Sequence, residues 1–65
     1  VSDGTVFTAQ QKLDAIKREL GFRRVVYARR VAENRMSQKQ MDEQIGVFEA
    51  IRDDYEKLAA GERLL

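Results

Sequence analysis

The 65-residue sequence contains no cysteine, histidine, proline or tryptophan, and each absence excludes something. Without cysteine no disulfide framework can form, and without cysteine or histidine the usual ligands of zinc and haem are missing. A chain this short buries a smaller share of its surface than a longer one, so its core must be thin. With neither disulfide nor metal to staple it, association with another chain is the remaining device. No apolar run approaches the roughly 20 residues that span a bilayer, and the N-terminal VSDGTVF has neither the basic start nor the apolar stretch of a signal peptide. The expectation is a cytoplasmic protein. The glycines are few and scattered at Gly4, Gly21, Gly46 and Gly61, so there is no Gly-rich phosphate loop.

Charge and helix-forming side chains fill the rest. The formal net charge is only +1, but the two halves have opposite signs. Residues 8–36 carry eight basic and three acidic side chains, a balance of +5, and residues 37–65 carry four basic and seven acidic, a balance of −3. Such an asymmetry points either to an internal partner or to a basic arm for an outside one.

Two helix starts use the same device, a hydroxyl residue followed three places later by Gln. Thr8-Ala-Gln-Gln11 and Ser37-Gln-Lys-Gln40 are both capping-box patterns, and Met36 and Met41 flank the second at the positions of a hydrophobic staple. The intervening sequence is rich in Lys, Arg, Glu, Gln, Leu and Ala. The fold class is therefore all-α, an antiparallel hairpin of two long helices. Residues 1–65 form one domain: a flexible N-terminus (1–7), helix 1 (8–34), helix 2 (37–60) and a loose tail (61–65). Gly21 is a place for helix 1 to kink or break, at about 1 kcal/mol relative to Ala, and Gly61 is a natural stop for helix 2. Asn34 suits a left-handed turn position. Phe7, Leu64 and Leu65 are candidates to dock from the loose ends.

Wound at 100° per residue, helix 1 gathers Ala9, Leu13, Ile16, Leu20, Tyr27 and Val31 into a stripe, with Arg24 inside it. Helix 2 answers with Met41, Ile45, Phe48, Ile51, Tyr55, Leu58 and Ala59. Phe22, Val25 and Val26 point away from the first stripe and Val47 lies at the margin of the second. These four form a candidate self-association surface, since exposed apolar patches beside polar rims mark interaction sites. A homodimer built as a four-helix bundle, or docking on another helical protein, would cover them.

The arginines admit two uses. Arg23 and Arg30 share a flank with Lys12, Arg18 and Arg29 lie on the other side, and helix 2 presents Asp42, Glu49 and Glu56 seven residues apart. Such rows beside an apolar seam resemble the e and g positions of paired helices, where ion pairs set register and partner choice. The alternative is a small nucleic-acid-binding module in which Arg18, Arg23, Arg24, Arg29, Arg30 and Arg35 contact phosphates while Tyr27 or Phe22 stacks on a base. The acidic second helix opposes a polyanion, and both helices are too long for a helix-turn-helix.

Catalysis is not expected. Adjacent Asp53 and Asp54 point about 100° apart on a helix with no nucleophile or base grouped beside them. Met36 and Met41 read as staple and core, and Tyr27 and Tyr55 as core-edge residues. No cofactor, metal or small-molecule substrate is indicated. A basic amphipathic helix can lie on a membrane surface, but the apolar stripe here already has a partner stripe downstream.

The segments KLDAIKRELGFRRVVYARRV, AENRMSQKQMDEQI and FEAIRDDY, spanning Lys12 to Tyr55, resemble small helical proteins encoded in bacterial, mostly proteobacterial, phages and prophages. Related sequences often carry Pro after the Val-Tyr pair and Gly in the turn, where this chain has Ala28 and Asn34. The resemblance implies an accessory protein of a mobile element and carries over no catalytic or binding residue.

Overall fold

The computed structural model describes residues 6–64, and two helices account for nearly all of them: α1 (Ala9–Ala32) and α2 (Gln38–Arg63). They pack side by side as an antiparallel hairpin, with no strand among the described residues. Residues 1–5 and Leu65 lie outside that range; of the expected flexible start, residues 1–7, only Val6 and Phe7 are described, and they hold no regular structure.

Local chemistry fixes the inner boundaries. Both capping boxes form. The Thr8 hydroxyl accepts from Gln11 N–H at 3.1 Å while Gln11 Oε1 accepts from Thr8 N–H at 2.8 Å. Ser37 and Gln40 repeat the exchange at 3.0 and 2.9 Å. Two orphan donors are satisfied at each helix start. At the far end of α1, Asn34 takes φ 61°, and two bonds close a Schellman motif: Asn34 N–H to Val31 O (3.1 Å) and Arg35 N–H to Arg30 O (2.8 Å). Asn tolerates this left-handed position better than most side chains, so the turn is as short as the sequence predicts. Met36 and Met41 are both half-buried on either side of the Ser37 cap.

The first helix is continuous as expected, and one boundary changes. Helix α1 runs unbroken through Gly21; no side chain crowds that position, and the regular bonds on both sides outweigh the loss of one glycine's helix propensity. Helix α2 does not stop at Gly61 but continues to Arg63. The last turn is held from outside, because Glu62 and Arg63 bond to the start of α1.

The core is thin. Among the described residues only Leu13, Leu20, Ile45 and Ala59 are buried, and Leu58, expected in the seam, is exposed. Two helices side by side make a slab one helix thick, and each has a single neighbour.

Candidate interaction face

The seam follows a heptad. Leu13, Leu20 and Tyr27 on α1 face a row on α2 made of Ile45, Arg52 and Ala59, with Met41, Phe48 and Tyr55 beside it. Arg52 therefore stands where an aliphatic side chain would complete the core. Its side chain is 30% exposed and its guanidinium turns to the neighbouring Asp53 carboxylate at 3.0 Å. The spacing Ile45-Arg52-Ala59 was the available signal for this residue. Arg23 also sits at the seam's margin: it pairs with Glu19 one turn back and lies over the Phe48 ring, 4.5 Å from its centroid. The hydrogen bond to Glu19 pushes the Arg23 pKa above its ordinary value, against a smaller desolvation effect.

The two flanks of the seam differ. One is a polar ladder: Gln10 accepts from Arg63 (3.0 Å), Lys17 pairs with Glu56 (3.2 Å) and Arg24 pairs with Glu49 (2.9 Å). Each step of seven residues along α1 is matched by seven back along α2, so these contacts define which residues stand level across the hairpin. Glu49 and Glu56 thus take Arg24 and Lys17, and neither pairs with the row of Lys12, Arg23 and Arg30. That row lies on the opposite flank, where Lys12 sits 5.7 Å over the Tyr55 ring and Arg23 covers Phe48.

Continuing outward past Lys12 and Arg23, helical periodicity brings both helices' remaining apolar residues to one broad face. Phe22 is 66% exposed, Val47 58% and Leu58 56%, with Ala15, Val26 and Ile51 half-buried among them. By the same periodicity Val26, Val47, Ile51 and Leu58 turn toward this side of the hairpin, and Phe22, half a turn round from Leu13, stands at its outer rim. Val25, 62% exposed, stands apart on the outer edge of α1. Leu58 was missed because a helical wheel drawn for α2 alone cannot separate the seam from a second stripe beside it. Phe7 and Leu64 remain exposed; Phe7 forms one wall of a shallow groove with Gln11, Lys12, Ala15 and Arg18 at the end of the broad face.

Of the six arginines proposed for phosphate contact, four are engaged. Arg23 and Arg24 pair as above, Arg35 lies 3.8 Å from Glu33, and Arg30 lies 5.6 Å over the Tyr27 ring. Arg18 and Arg29 make no ion pair among the described residues and project from the outer edge of α1. The arginines are therefore distributed around the helix and do not form one patch.

Glu62 closes the structure at the end away from the turn. Its carboxylate accepts from Ala9 N–H (2.8 Å) and Gln10 N–H (3.2 Å), the two first-turn donors that the Thr8 capping box leaves free. An anion at a helix N-terminus also complements the helix dipole. No local pattern in the sequence announces this contact, since the partners are 53 and 52 residues apart.

Among the described residues no group of His, Cys, Asp or Glu is placed to hold a metal ion, and no helix is long and apolar enough to cross a membrane. No known protein family, curated protein or solved structure matches the chain.

Proposed function

We propose that this protein is a small helical interaction module that associates with itself, an accessory protein of phage or prophage type working in the cytoplasm without catalytic activity. The observation that carries the reading is the exposure of Phe22, Val47 and Leu58, which helical periodicity sets toward one side of the hairpin. A slab one helix thick has nowhere of its own to put these side chains, which supports the reading.

The test is the solution mass by light scattering over a range of concentrations, for the parent chain and for Phe22→Glu. The parent is expected at twice 7.5 kDa and the variant at 7.5 kDa with unchanged helix content. A parent of single-chain mass at every concentration would overturn the proposal. Binding of mixed-sequence DNA and RNA at low salt belongs in the same experiment. Contacts to phosphate weaken steeply as salt rises, while apolar self-association hardly responds, so strong salt-sensitive binding by a single-chain species would favour the nucleic-acid reading.

A further inference from the structure

The broad face has a pattern on both helices, and the patterns match. Along α1 its apolar residues fall at Ala15, Phe22 and Val26, in steps of seven and four; along α2 they fall at Leu58, Ile51 and Val47, in the same steps taken backwards. The pairs Lys17–Glu56 and Arg24–Glu49 set the level of each residue across the hairpin. By that register Ala15 stands level with Leu58, Phe22 with Ile51, and Val26 with Val47.

The edges of the face are charged, with opposite signs. The α1 edge carries Arg18 and Arg29 and the α2 edge carries Glu43 and Asp54, each pair eleven residues apart, which is close to three full helical turns. All four are exposed, and none makes an ion pair or side-chain hydrogen bond among the described residues. By the same register Arg18 is nearly level with Asp54, and Arg29 with Glu43.

We propose that the occupant of this face is a second copy of the chain, related by a two-fold axis parallel to the helices, so that each α1 lies on the other copy's α2 and both turns are at one end. The proposal rests on the self-association reading and specifies its geometry. A two-fold axis in this direction preserves level, so every residue meets what stands level with it. Leu58 of one copy enters the groove between Phe7, Ala15 and Arg18 of the other, Phe22 packs on the partner's Ile51, and Val26 on the partner's Val47. At the edges Arg18 reaches the partner's Asp54 and Arg29 the partner's Glu43, four ion pairs in all by symmetry. The other two-fold arrangement, with α1 on α1 and the turns at opposite ends, sets Arg18 against the partner's Arg29 and Asp54 near the partner's Glu43 when its axis crosses the hairpin midway between those residues. Like charges opposed across an interface select against that arrangement.

The chain has no cysteine, so an introduced thiol is unique. Under mild oxidation a mixture of Val26→Cys and Val47→Cys chains is expected to give a covalent mixed dimer, whereas each variant alone gives none, because a disulfide requires the two Cα atoms within about 7 Å. Arg18→Glu/Arg29→Glu and Glu43→Lys/Asp54→Lys are each expected to self-associate about tenfold more weakly than the parent, and an equimolar mixture to recover the parent's association. If the parent dimerises but the mixture stays uncrosslinked, or Val26→Cys links to itself, this geometry is overturned while self-association stands. Swap variants that associate as tightly as the parent would overturn it as well. A parent that stays at single-chain mass overturns both.

Discussion

Arg52 occupies a seam position between Ile45 and Ala59, and its only polar partner among the described residues is the adjacent Asp53. A charge on the seam line specifies register at some expense of stability, since its stem packs while its head must stay solvated. Arg52→Leu is expected to raise stability by about 1 kcal/mol in urea unfolding, because Asp53 is exposed and loses nothing buried. Gly21 and Gly46 have open space where a Cβ would go. Gly21→Ala should add about 0.5 to 1 kcal/mol, read as a higher thermal midpoint by circular dichroism. A loss instead would mean that α1 needs the freedom of glycine there. At Asn34, with φ 61°, Asn34→Gly should be neutral or stabilising and Asn34→Val should cost at least about 1 kcal/mol.

The elements differ in how far their own sequence defines them. The start of α2 was legible because its cap is a contract among neighbours: Ser37, Gln40 and the flanking methionines settle it within six residues. The turn was legible for the same reason. The end of α2 was not, because Gly61 is a local stop signal overridden by Glu62 and Arg63, whose partners begin α1. Which flank of α1 would receive Glu49 and Glu56 was equally hidden, since the rows at 12, 23 and 30 and at 10, 17 and 24 both run beside the stripe and only packing chooses between them. Glu62→Ala is therefore expected to cost about 1 kcal/mol and to speed hydrogen exchange at the Ala9 and Gln10 amides, while the Ser37 end keeps its protection. Equal loss at both helix starts would show that Glu62 contributes only to global stability.

At the scale of the molecule, the hairpin has one polar face stitched by a ladder and one face with apolar side chains uncovered. Four buried residues among those described are a small core, so association should account for much of the stability. Thermal midpoints are expected to rise with protein concentration, as mass action requires when the folded state is stabilised by a second chain. A midpoint independent of concentration over a hundredfold range would place the stability within the single hairpin. The fold class was readable from spacing alone, but the broad face was readable only in part. Phe22, Val26 and Val47 stood out as leftovers from a single stripe, whereas their alignment with Ile51 and Leu58 depends on a cross-helix register that no one helix encodes.

The bonds from Ala9 and Gln10 to Glu62 also settle where the chain comes and goes. Whatever precedes Thr8 and whatever follows Leu64 meet the hairpin at one end, side by side, with the Asn34 turn at the other. Such a unit projects from its point of attachment like a bracket. It can be grafted between two strands of a host loop, or opened at the turn and joined at its ends, without asking either helix to change its course.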